Sequence, residues 1–163
     1  MTLRYSGLSS QLAAALRAGG ADANGQPAER RVSDGAGVPC RHCLGWVEKG
    51  AEYLVFAHRP FPALQPYAEL GPVFIHAGDC AAYDPAQGLP DRERGKAGQQ
   101  ILRGYGANDR IVYGTGVVVA AGEIEATAAG ILARPEVAYV HMRSATNNCF
   151  TLRIDRGEAA WSV

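Results

Sequence analysis

The sequence predicts an α+β fold: a single domain with a mainly antiparallel twisted sheet and one or two short helices, ending in a β-hairpin. Three observations carry this. Alternating or β-branched apolar runs recur at 52–58, 73–76, 99–105, 109–120 and 137–155. Helical spacing of apolar residues is confined to two short stretches, 9–17 and 122–133. No internal repeat appears at a solenoid period, and 163 residues suffice for one well-buried core while leaving two a squeeze. Residues 1–38 read as a short helix and a mobile linker, and 39–163 as the single α+β domain.

In chain order, Ser9 or Ser10 caps a helix through Arg17, with Leu12, Ala15 and Leu16 on one side and Gly19-Gly20 ending it. Residues 18–39 are rich in Gly, Ala, Asp and Pro and hold almost no large apolar side chain, so they are expected to be an exposed linker. Glu52 to His58 places Tyr53, Val55 and Ala57 on one face and Leu54 and Phe56 on the other, a strand buried on both sides. Pro60, Pro62 and Pro66 exclude regular structure until Val73–His76 forms another strand. Residues 84–98, with the charge run Asp91 to Lys96, are expected to be a solvated surface loop. Two strands, 99–105 and 109–120, then precede a helix over 122–133 that has Glu123 and Glu125 in its first turn and ends before Pro135.

The closing hairpin offers the firmest register. Successive strand side chains point to opposite faces, so Ala138, Val140 and Met142 should match Phe150, Leu152 and Ile154. Pairing Met142 with Phe150 and Val140 with Leu152 leaves Ser144 to Asn148 as the connection. The opposite face then carries Tyr139, His141 and Arg143 against Arg153, Thr151 and Cys149.

Composition narrows the function classes. Sixteen basic residues balance sixteen acidic ones, so no electrostatic footprint points to nucleic acid or to an anionic membrane. No apolar run approaches the roughly 20 residues of a membrane helix, and the N-terminus lacks the charged and apolar regions of an export signal. A cytoplasmic protein is expected, with its four cysteines reduced.

Three constellations could carry chemistry. Cys40-x2-Cys43 with His76-x3-Cys80 supplies three sulfurs and a nitrogen at spacings compatible with tetrahedral zinc, although a single CxxC is common and plain buried thiols fit as well. On the hairpin face, Arg143 and His141 beside Cys149 would favour a thiolate nucleophile, against the bland reading of ordinary polar sheet residues. Arg41, Arg103 and Arg143 could converge on a carboxylate or phosphate. No GxGxxG at a strand-to-helix turn, HExxH or GxSxG occurs.

Pro39 to Arg41, the run PYAELGPVFIH ending at His76, LRGY at Leu102 to Tyr105, and VAYVHMRSATNNCF from Val137 to Phe150 together resemble the bacterial domain-of-unknown-function family 1203, over about Pro39 to Arg156. The motifs map onto Cys40, Arg41, Phe74, Arg103, Tyr105, Arg143 and Cys149. The resemblance implies a small single-domain protein without an assigned activity, and a zinc site built on Cys43 is not one of its implications. It shifts weight toward a pocket where Arg41, Arg103, Tyr105 and Arg143 hold an anionic small molecule and Cys149, with His141 or Cys40, performs thiol chemistry. The other readings are a non-catalytic protein stabilised by zinc at Cys40, Cys43, His76 and Cys80, and an interaction module using the aromatic loop from Phe56 to Tyr67.

Overall fold

The structure, a computed structural model, describes residues 1–157. In chain order its elements are β1 (Leu3–Ser6), α1 (Ser10–Arg17), β2 (Glu29–Val32), β3 (Val38–Pro39), β4 (Trp46–Val47), β5 (Glu52–His58), β6 (Gly71–His76), α2 (Asp91–Arg94), β7 (Gln99–Tyr105), β8 (Val117–Ala120), α3 (Ile124–Leu132), β9 (Tyr139–Ser144) and β10 (Phe150–Arg156). The class is α+β, and every strand pair is antiparallel. The chain divides into two compact units, Gly7–Tyr83, and Met1–Ser6 together with the chain from Asp84 onward.

The second of these is built on a five-stranded sheet of order β1-β10-β9-β7-β8. Leu102, Val140, Met142, Leu152 and Ile154 are buried, as are Ile124, Ala128, Ile131 and Leu132 of α3, which lies against β7, β9 and β10. Gly104 permits the approach, since a Cβ there would meet Ile131 Cγ2 at 2.9 Å and Thr115 Oγ1 at 3.1 Å. Arg156 closes the C-terminal end of α3 by donating to the carbonyls of Leu132, Arg134 and Val137.

The hairpin differs from its expected register, and the difference has a local cause. Met142 lies opposite Leu152 and Val140 opposite Ile154, while Arg143 faces Phe150. Asn148 adopts the left-handed conformation (φ 55°), and Ser144 pairs back to the Cys149 carbonyl at 3.1 Å, so the chain returns one residue later than expected. That shift alone would turn Leu152 and Ile154 out of the core. An irregularity at Thr151, between the Phe150 and Leu152 pairs, restores their alternation. Phe150 therefore joins the Tyr139, His141 and Arg143 face, its ring 5.0 Å from that of His141, and Cys149 leaves the ladder.

Several expectations are corrected here. A strand at Leu3–Ser6 pairs with β10, and Glu29–Val32, expected to be linker, pairs with β5. All four residues of β2 are exposed, so their side chains carry no apolar signature and only backbone pairing defines the strand. The strand expected over 109–120 survives only as Val117–Ala120, because Asp109 and Gly114 take positive φ and the chain turns instead. Residues 84–98 are not simply a solvated loop: Glu93 is 0 % exposed and bonds the Arg92 Nε at 2.7 Å.

The Gly7–Tyr83 unit carries the three-stranded sheet β2-β5-β6 and the β3–β4 ribbon. Leu54, Phe56, Val73 and Ile75 form its sheet core, with Ala13 and Leu16 of α1 also buried. Tyr53, Val55 and Ala57 are half-buried, so only one face of β5 is fully covered. Ser9 caps α1 by accepting from Leu12 N at 3.2 Å, as expected. Among the described residues no helix is long and apolar enough to cross a membrane.

Candidate metal centre

The β3–β4 ribbon exists to present a tight loop. Val38 pairs with Val47 and Pro39 with Trp46, leaving Cys40 to Gly45 to reverse the chain. Leu44 sits at φ 54°, and Cys40 N donates to Gly45 O at 2.9 Å. The loop is fastened to β6 by Arg41 N donating to Phe74 O at 2.8 Å. This brings Cys40 and Cys43 to the end of β6, where His76 is the last strand residue, on the face opposite buried Val73 and Ile75. Cys80 follows on a segment without regular structure, which returns to the loop through Tyr83 N and His42 O at 3.1 Å.

The Cys40, Cys43 and Cys80 sulfurs and one ring nitrogen of His76 all lie within 4.8 Å of one another. Cys40 Sγ and Cys80 Sγ are 3.9 Å apart, and Cys43 Sγ and His76 Nδ1 are 3.7 Å apart. A regular tetrahedron with zinc–sulfur bonds of about 2.3 Å and zinc–nitrogen bonds of about 2.0–2.1 Å has edges of roughly 3.8 and 3.6 Å. These two separations match such edges to within about 0.2 Å. Four protein ligands would complete the coordination of an ion held here, the arrangement of a closed structural centre, without the open position of a catalytic one.

A second layer of contacts orients the ligands. The other ring nitrogen of His76, Nε2, lies 3.5 Å from Glu48 Oε2, the carboxylate–histidine pairing that sets the tautomer of a metal-bound imidazole. The backbone N–H of His76 donates to Cys40 Sγ at 3.4 Å. Arg17 Nη2 donates to Cys80 Sγ at 3.3 Å, His42 Nδ1 lies 3.2 Å from the same sulfur, and Arg17 Nε also donates to His76 O at 3.1 Å.

The sulfurs are electrostatically unequal. A hydrogen bond from Cys43 is the chief influence on Cys40; with backbone N–H groups of Cys43, His76 and His42 it overcomes burial and holds the Cys40 thiol down at about 3. Cys43, the donor in that bond, is pushed far up, with its burial and the Cys40 charge adding to the effect. Burial first, and then the Cys40 charge, raise Cys80. The shifts thus favour charge on Cys40 and protons on Cys43 and Cys80; a divalent ion would replace such protons. Burial, reinforced by Arg17, lowers His42 below the usual imidazole value and so favours the neutral ring.

The remaining expected site residues divide between the two units. Cys40 and Arg41 belong to Gly7–Tyr83, and Arg41 donates to Pro39 O at 3.2 Å. Arg103, Tyr105, His141, Arg143 and Cys149 belong to the other unit. There, Arg103 Nη1 reaches Tyr105 Oη at 3.5 Å, and the Tyr105 ring lies 4.7 Å from that of His141. Arg143 donates to Asn148 O at 3.2 Å, and Cys149 donates to Asn147 O at 3.6 Å. Sequence reasoning did not anticipate Arg17, His42 or Glu48. His42 had a signal, lying inside the Cys40-x2-Cys43 spacing; Arg17 had none, because only the tertiary fold carries it to Cys80.

A model of a protein family of unknown function, DUF1203, matches residues 37–156. The chain belongs to that family. The matched span contains all four candidate ligands, whereas α1 precedes it. No curated protein and no solved structure matches the chain.

Proposed function

We propose that this DUF1203 member is a zinc-binding protein in which Cys40, Cys43, His76 and Cys80 hold one structural Zn2+. The observation that carries the reading is the convergence of three sulfurs and an imidazole nitrogen within 4.8 Å, with two of the separations, 3.9 Å for Cys40–Cys80 and 3.7 Å for Cys43–His76, at the length of tetrahedral zinc edges. The donor set agrees: three thiolates and an imidazole select zinc over the hard cations magnesium and calcium, which take oxygen ligands. A structural role follows from ligand count, because four protein ligands leave no position for a substrate. It also follows from location, since the ion would clamp the β3–β4 loop, the end of β6 and the irregular segment bearing Cys80.

The test is elemental analysis of protein purified without added chelator or metal, with melting recorded before and after a strong chelator. One zinc per chain, and a lowered melting temperature on its removal, are expected. Absence of stoichiometric metal together with unchanged melting in chelator would refute the reading.

A further inference from the structure

We infer that Arg17 and His42 are positioning residues of the metal centre, and that metal loading and the docking of α1 are one coupled event. The inference rests on the zinc reading above. Zn2+ bound by three thiolates and a neutral imidazole carries one net negative charge, and Glu48 beside His76 adds another at its rim. A partly buried anionic centre is costly unless a cation or N–H donors compensate it. The compensating cation is Arg17. Its side chain is 14 % exposed and its guanidinium contacts Cys80 Sγ at 3.3 Å, with Asp79 at 3.8 Å on its outer side. Arg41, adjacent to Cys40 in sequence, turns instead to Pro39 O.

Cys80 is also the ligand that backbone pairing controls least. Cys40 and Cys43 sit in a loop pinned to Gly45 and Phe74, and His76 sits on β6. Cys80 follows Gly78 and a fully exposed Asp79 outside any strand or helix. Besides Cys40, two side chains outside the ligand set meet its sulfur, Arg17 and His42, and both lead to α1. Arg17 is the last residue of that helix. His42 Nδ1 meets the sulfur at 3.2 Å, while its Nε2 lies 3.0 Å from the hydroxyl of Ser10, the first residue of the helix. With Nδ1–H given to sulfur, Nε2 accepts from Ser10, a single consistent tautomer. An eight-residue helix is too short to persist on its own and is held by tertiary contacts: its buried Ala13 and Leu16, and two polar ties to one metal ligand, one at each end.

The experiment uses the full chain and zinc itself. Zinc affinity is measured by competition with a chromophoric chelator for wild type, R17Q, R17K and S10A. Amide exchange over 10–17 is followed in zinc-loaded and chelator-treated wild type, and iodoacetamide labelling is mapped by mass spectrometry. R17Q should bind zinc roughly 10–100-fold more weakly, the usual cost of losing an outer-shell partner. R17K should fall between, keeping the charge without bonding the His76 carbonyl and Cys80 together. S10A, an exposed position whose loss cannot unfold the core, should show a smaller loss in the same direction. Zinc should slow exchange across α1, and among the three cluster cysteines, Cys40, Cys43 and Cys80, Cys80 should be labelled first in zinc-loaded R17Q, Cys149 lying outside the cluster. A lower melting temperature for R17Q must be larger in the loaded than in the chelator-treated protein, which a merely structural arginine would not produce. Wild-type zinc affinity in R17Q, or exchange over α1 indifferent to zinc, overturns the inference while leaving the zinc reading intact. A wild type that takes up no stoichiometric zinc overturns both.

Discussion

Replacing Cys43 with serine would remove one of the four proposed zinc ligands at almost constant volume and gives the sharpest measure of the centre. Structural zinc sites contribute apparent binding free energies of about 10–16 kcal/mol, or roughly 2.5–4 kcal/mol for each of four ligands. Cys43 is the half-exposed member of the loop pair, with Cys40 fully buried. Water can therefore reach the vacated position, which places the loss toward the lower part of that range. A loss of about 3 kcal/mol corresponds to roughly 150-fold weaker binding. At fixed free zinc that keeps both proteins loaded, the same 3 kcal/mol or so appears as lost stability, or about 6–12 °C in melting temperature for a chain of this size. Competition against a chromophoric chelator supplies the affinity, and cobalt substitution supplies the geometry through the ligand-field bands of a tetrahedral thiolate site. C43S that binds zinc as tightly as wild type, or cobalt spectra without tetrahedral character, would refute the assignment of Cys43 as a ligand.

Other perturbations probe the scaffold. R156A should lower stability by about 2–4 kcal/mol in urea titration, because it strips charge-assisted bonds from the carbonyls of Leu132, Arg134 and Val137 at the end of α3, with R156K recovering part. R92M removes the Arg92 partner of the 0 % exposed Glu93, leaving Lys96 beside it at 3.4 Å, and should cost about 3–5 kcal/mol, partly recovered in R92M/E93Q. Burial, and then the hydrogen bond to Asp109, push the Tyr139 phenol upward from its ordinary 10.0. Above about pH 10 the unfolded chain therefore loses a proton that the native state keeps, and stability falls by about 1.4 kcal/mol per pH unit. Denaturant midpoints between about pH 8 and about pH 11 should show this alkaline decline reduced in Y139F.

Elements with a strong side-chain pattern were legible. Glu52–His58, Gln99–Tyr105 and the helix capped by Ser9 stand where alternation, β-branching and a capping hydroxyl placed them. The polar hairpin face was legible in part: Tyr139, His141 and Arg153 share it, with Arg153 lying 3.8 Å over the Tyr139 ring, but Phe150 stands opposite Arg143 where Cys149 was expected. What failed were features decided by backbone geometry. The hairpin register turned on one left-handed residue, Asn148, and one irregularity at Thr151, neither of which leaves a mark on hydrophobic periodicity. The exposed strand Glu29–Val32 has no buried side chain to announce it.

For the candidate site, the sequence by itself determined the ligand types and their two local spacings, Cys40-x2-Cys43 and His76-x3-Cys80. It left metal ligation, buried thiols and thiol catalysis as competing readings. Tertiary structure decided what spacing cannot: that the two pairs meet within 4.8 Å, that Glu48 stands behind His76, and that Arg17 and His42 converge on Cys80. The physical reason is that coordination depends on distances of two to four ångströms between groups dozens of residues apart. Such distances are set by strand pairing and helix docking, while sequence periodicity reports only which face of a local element is buried.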